Sequence, residues 1–107
     1  FTSATTGNII CTLGGVSNAV TTKTADYTIL TTDNLVLGNG SNITFTLPTA
    51  VGLQGKRFYI KKIDASGTYL RVLADGAETI DGQASWDIIG QYTTMLIFSD
   101  GTNWYIL

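Results

Sequence analysis

An all-β fold is predicted for this chain by three features of its 107 residues. β-Branched residues and glycine dominate, apolar and polar side chains alternate with period two in short stretches, and no apolar pattern of useful length recurs at helical spacing. Turn residues at short, regular intervals divide the chain into about eight to ten short strands, the text of an antiparallel β-sandwich or jelly-roll-like barrel. A chain of this length has room for a single domain.

Residues 1–24 are rich in Thr, Ser and Gly around the run Ile9-Ile10-Cys11 and a Gly14-Gly15 break, and read as a connector or swapped N-terminal arm. Residues 25–107 carry the sandwich. Strands are expected at 27–30 and 35–37, separated by Thr31-Thr32-Asp33-Asn34, and Gly38-Asn39-Gly40-Ser41 forms a loop. Ile43, Phe45 and Leu47 alternate with Asn42, Thr44 and Thr46, which marks a half-buried strand ended by Pro48. After a loop at 49–55 come strands at 57–63 and 69–73, with residues 64–67 turning the chain between them. Asp75-Gly76 and Asp81-Gly82 bracket a short strand at 78–80, and 86–89 follows. Gly90 breaks the chain before 92–98, and Asp100-Gly101 is a hairpin signal ahead of 104–107.

Composition excludes several classes of function. The net charge of −2 and the pI near 4.6 remove the electrostatic attraction that dominates nucleic-acid binding. No apolar run approaches the ~18 residues of a membrane helix, and no basic-then-apolar segment opens the chain. Only 13% of residues are charged, so hydroxyls and amides solvate much of the surface, the texture of a rigid extracellular or virion module. The single cysteine, Cys11, forbids an intrachain disulfide and reads as a small buried hydrophobe. The chain opens on Phe1 rather than Met, so it is expected to be cut from a longer protein whose remainder lies on the N-terminal side.

Catalysis has little to stand on. The absence of histidine eliminates Ser-His-Asp, Cys-His and histidine-based metal sites. Asp75, Glu78 and Asp81 sit in and beside Asp-Gly turns and lack the spacing of a calcium loop, so their expected role is turn chemistry. No catalytic, metal-binding or cofactor-binding residue is assigned, and no cofactor is expected.

Several late strands are apolar on both faces, where a small two-layer domain should wet one of them. Met95 and Ile97 oppose Leu96 and Phe98, Trp104 and Ile106 oppose Tyr105 and Leu107, and Tyr69 and Leu73 oppose Leu70 and Val72. One face fills the core and the other requires a partner. Tyr69, Met95, Ile97, Trp104 and Ile106 are assigned to that second face and to a contact between copies of the chain.

Ligand contacts are expected on loops held by a rigid scaffold. Asn39, Ser41 and Asn42 offer amides and a hydroxyl to sugar hydroxyls. Arg57 and Lys61 share a strand face with Tyr59 that suits an anionic sugar, although the same charges would also serve to guard a sheet against edge pairing. Trp86 and Trp104 could stack on sugar rings, but core or interface packing is the commoner use of such residues.

The final stretch, ETIDGQASWDIIGQYTTMLIFSDGTNWYIL, resembles a small all-β domain that recurs at the ends of bacteriophage tail-fibre, head-fibre, spike and other virion proteins. The resemblance extends back through GKRFYIKKIDASG, ITFTLPTA and DYTILTTDNLVL, covering roughly residues 25–107, and rests on the order of these pieces. It implies a non-enzymatic viral attachment module: a homotrimer within a longer fibre, located in the virion, that binds a host surface glycan or protein. A purely structural trimerisation, capping or capsid-decoration module is the alternative. A fragment of a polysaccharide-cleaving tailspike is the least favoured.

Overall fold

The computed structural model describes residues 10–12 and 15–107, with side chains from residue 18 onward. Much of the expected arm, and the side chain of Cys11, lie outside the described residues. Those described form strands and turns and contain no helix. The strands are β1 (Ile10–Thr12), β2 (Gly15–Ser17), β3 (Val20–Lys23), β4 (Tyr27–Thr28), β5 (Leu35–Gly38), β6 (Ile43–Thr46), β7 (Arg57–Lys62), β8 (Leu70–Leu73), β9 (Ser85–Ile88), β10 (Thr94–Ser99) and β11 (Trp104–Ile106).

Among the described residues β1 and β2 pair only with each other, while the remaining strands form a five-stranded sheet ordered β11-β10-β7-β5-β3 and a four-stranded sheet ordered β4-β6-β8-β9. The sheets are mixed, which corrects the antiparallel expectation. From β3 to β8 the chain crosses to the other sheet after every strand, so each new strand lies parallel to the one two elements earlier. Parallel neighbours require such a crossover, and here the opposing sheet supplies it where a helix more often would. The later pairs β8-β9, β7-β10 and β10-β11 are antiparallel and close the two layers. β3 falls within the expected arm yet pairs with β5 as the edge of the large sheet, so the layered part of the chain begins at Val20.

Period-two alternation decides which side chains meet between the sheets. Val36, Phe58, Ile60, Met95, Ile97 and Trp104 come from the large sheet, and Ile43, Phe45, Leu70, Val72 and Ile88 from the small one, all buried in one core with Ile29, Leu47 and Ile80. The Phe58 and Trp104 rings lie 5.5 Å apart, and Tyr27 meets Phe45 edge-on at 6.0 Å. Gly38 faces inward because a Cβ there would meet Leu70 at 2.6 Å.

Polar groups tie the two ends. Fully buried Lys62 threads the core edge and donates from Nζ to the Asp64 carbonyl at 2.7 Å, with the Asp64 carboxylate 3.3 Å away. At the opposite end Asp33 is also buried, and its carboxylate accepts from Tyr27 Oη at 2.6 Å, the Leu30 amide at 2.9 Å and Thr21 Oγ1 at 3.1 Å. Those bonds satisfy the oxygens that burial removes from water.

Candidate functional site

Strand direction places loops 39–42, 63–69 and 89–93 at one end of the sandwich, beside the C-terminal ends of β5 and β7. Loops 29–34, 47–56, 74–84 and 100–103 lie at the other. Asn39, Ser41, Asn42 and Lys61 therefore share an end. Arg57 does not: it starts β7, about 13 Å along the strand from Lys61 at ~3.3 Å per residue.

The shared end is organised by internal hydrogen bonds. Thr68 Oγ1 donates to Ser41 Oγ at 3.1 Å and accepts from the Asn42 amide at 3.0 Å, joining loop 39–42 to loop 63–69. Asn42 has a φ of 53°, a left-handed conformation that asparagine tolerates better than most residues. Gly40 passes so close to the chain that a Cβ would sit 2.4 Å from the Thr24 carbonyl oxygen. Lys61 Nζ donates to the Tyr92 carbonyl at 2.8 Å and to Thr94 Oγ1 at 3.3 Å, with the Tyr92 ring centroid 5.9 Å away. Tyr92 itself is 62% exposed at a φ of 65°, an uncommon conformation for an aromatic residue.

Burial places the residues assigned to the contact between copies quite differently. Met95, Ile97 and Trp104 occupy the core of the single chain, with Ile97 and Trp104 completely covered. Ile106 is aligned with Ile97 and packs against the same core, and Tyr69 lies apart at the end of loop 63–69, its ring 4.5 Å from the Arg71 guanidinium. For Met95, Ile97 and Trp104 the expected parity is reversed, because their side chains fill the core of the single chain. The face left outside the large sheet carries Val20, Leu35, Tyr59 and Leu96, aligned from strand to strand, with Leu107 bonded beside Leu96. Phe98 and Tyr105 form the neighbouring pair, rings 5.8 Å apart. Val20 is 61% and Leu107 66% exposed, and a pocket of about 230 Å³ opens at this face between Gly55, Arg57, Phe98 and Leu107.

Of the turn carboxylates, Glu78, Asp81 and Asp100 are engaged within the fold. Glu78 accepts from Thr49 Oγ1 and from the Ala50 amide at 2.8 Å, and Asp81 Oδ1 accepts from the Ile106 amide at 3.1 Å. Asp100 accepts from the Thr102 and Asn103 amides at 2.9 and 2.8 Å; those bonds hold its carboxyl below its ordinary pKa, the Asn103 bond first. Among the described residues, no cluster of three or more His, Cys, Asp or Glu side chains is placed to hold a metal ion.

The two tryptophans weighed for sugar stacking separate in the fold, Trp104 into the core and Trp86 onto a second aromatic surface. Trp86, on edge strand β9, is 38% exposed, and its indole Nε1 donates to the Ile80 carbonyl at 2.6 Å. With Gln83, Ser85 and Asp87 it lines an open pocket of about 330 Å³. Arg71 grips Asp87 with two bonds, Nε to Oδ1 at 2.8 Å and Nη2 to Oδ2 at 3.1 Å. Compared with protein-family models, curated proteins and solved structures, the chain matches none.

Proposed function

We propose that this chain is a non-enzymatic virion fibre or spike module that assembles as a homotrimer and presents its end loops to a host surface. The observation that carries the reading is the aligned apolar row Val20, Leu35, Tyr59, Leu96 and Leu107 on the outer face of the large sheet. The row spans all five strands of the sheet: Val20 and Leu107 at its ends are well exposed and Leu35, Tyr59 and Leu96 between them are half-buried, and an apolar band that reaches the surface in this way marks an interaction surface. The order of the C-terminal motifs, which resembles that of phage fibre modules, supplies the threefold arrangement and the virion setting. Three copies would turn these faces toward a common axis and leave loops 39–42, 63–69 and 89–93 at one end of the assembly. Repetition of the same loops would raise a weak individual affinity through avidity.

The purely structural module is the second reading, and one observation favours it. Ser41, Asn42 and Lys61 spend polar groups on Thr68, Tyr92 and Thr94, groups that a receptor would otherwise engage. The two readings separate when the purified domain competes with virions for host cells. Blocked adsorption is expected for an attachment module, whereas a stable trimer that leaves adsorption unchanged identifies the structural one. A monomer at micromolar concentration by light scattering removes the assembly reading itself.

A further inference from the structure

The pocket beside Trp86 has the chemistry of a sugar site. Its floor is built on rigid parts: Ile80 and Gln83 exchange backbone hydrogen bonds of 2.7 and 3.0 Å across a two-residue turn, Asp81-Gly82, whose φ angles of 48° and 82° suit a primed hairpin. Asp81 fastens that turn to β11 through the Ile106 amide. Ile80 is fully buried, and its carbonyl holds the Trp86 indole by Nε1, so little side-chain freedom remains to be lost on binding. The partly exposed ring offers a flat apolar surface. Gln83, Ser85 and Asp87 complete the lining; Ser85 and Asp87 alternate with Trp86 along β9 and project from its other face, so the pocket wraps the strand edge with the ring on one side and polar groups on the other. Between them they supply donors and acceptors for adjacent hydroxyl groups. β9 is also the edge of its sheet among the described residues, so its outer backbone groups lie beside the pocket unpaired by another strand.

We infer that this pocket binds a neutral hexose or N-acetylhexosamine unit of a glycan, with the sugar's C–H face on Trp86 and its hydroxyls on Asp87, Gln83 and Ser85. The ligand must be apolar on one side and rich in hydroxyls on the other, because the walls are divided in that way. It is neutral because Arg71 already balances Asp87, which leaves the wall without surplus positive charge. The inference rests on the attachment reading and gives it a ligand class.

The test is a nuclear magnetic resonance titration of the intact chain with the methyl glycosides of glucose, galactose and N-acetylglucosamine. The chain holds two tryptophans and hence two indole N–H signals. At least one glycoside is expected to shift the Trp86 indole and Gln83 side-chain amide signals saturably while the buried Trp104 signal stays in place. Trp86→Ala should weaken that binding at least about tenfold, corresponding to 1.4 kcal/mol. An unchanged Trp104 signal certifies the fold of the variant, and if Trp86→Ala unfolds, Gln83→Ala serves instead with a smaller loss expected. No saturable shift up to about 100 mM glycoside, a range that covers even feeble sites, overturns the inference. So do shifts confined to loop 39–42, or tighter binding of sialic acid than of every neutral sugar. Host adsorption separates the two readings: a glycoside-binding domain that blocks no adsorption refutes attachment and leaves the site. Trp86→Ala that still blocks adsorption fully refutes the site as the attachment point and leaves attachment.

Discussion

The Tyr27 hydroxyl donates to the Asp33 carboxylate at 2.6 Å, joining β4 to the turn that precedes β5. Burial first, and then this bond and the charge of Asp33, push the Tyr27 phenol from 10.0 up to about 12. The folded state therefore holds the proton more tightly than the unfolded state. The resulting stability is fully present below pH 10.0 and is lost as pH rises toward about 12. In an ultraviolet titration Tyr27 should ionise late, toward pH 12, and Tyr27→Phe should remove that late phase. At neutral pH the same substitution should cost about 1 kcal/mol in denaturant unfolding, the usual worth of such a bond.

Neighbouring residues on β10 should respond in opposite ways to the same substitution. Ile97→Asp places a carboxylate in a fully covered position and should unfold the chain, at a cost above ~4 kcal/mol. Leu96→Asp alters the outer face, and should leave circular dichroism intact while light scattering reports a fall from trimer to monomer. Unchanged mass in Leu96→Asp would remove this face from the contact between copies.

Two glycine substitutions separate close approach from backbone strain. Gly40→Ala drives a methyl group against the Thr24 carbonyl oxygen at 2.4 Å and should cost about 1–3 kcal/mol, as overpacking does. Gly52 has open space around it at a φ of 82°, so Gly52→Ala should cost about 1 kcal/mol from the left-handed conformation alone. Chemical denaturation midpoints measure both.

Asn39→Ala with Asn42→Gly tests loop 39–42 while respecting the left-handed backbone at Asn42. Host adsorption should weaken and thermal stability should change by less than about 0.5 kcal/mol, because both side chains are exposed. Unaltered adsorption after these changes, and after Arg57→Ala with Lys61→Ala, would remove these residues from the receptor contact, and the structural module follows if Trp86→Ala leaves adsorption unaltered as well.

Most strand positions were legible because alternation and turn residues act locally, although the strand expected at 78–80 is only an isolated bridge at Ile80 and β3 lay hidden in the expected connector. The run from Ile43 to Thr46 and the Asp100-Gly101 turn both stand where residue type alone puts them. Pairing was not legible, since a turn signal states that the chain changes direction and leaves open which sheet it enters. The paired positions Val20, Leu35 and Tyr59 are 15 and 24 residues apart, and Tyr27, Phe45 and Val72 are 18 and 27 apart, so no regular period betrays the parallel winding. Met95 and Leu96 illustrate a second gap: both faces of β10 are apolar, and only the partner strands decide which turns inward. Trp86 illustrates a third. It aligns with core residue Val72 but stands on an edge strand, and that position, invisible in local sequence, leaves the ring partly in water.

The alternation of successive strands between sheets also governs how the molecule comes into being. A strand emerging from the ribosome finds its sheet neighbour already made but separated from it by an intervening crossing, so stable pairing waits on distant segments and folding should be slow. Trp104, which fills the core against Phe58, leaves the ribosome after every other residue of that core. Until it arrives, the inner faces of both sheets lack their largest side chain. The nascent chain is consequently exposed to association with other chains before its own interior is sealed, which makes synthesis of many chains close together a hazard to its folding.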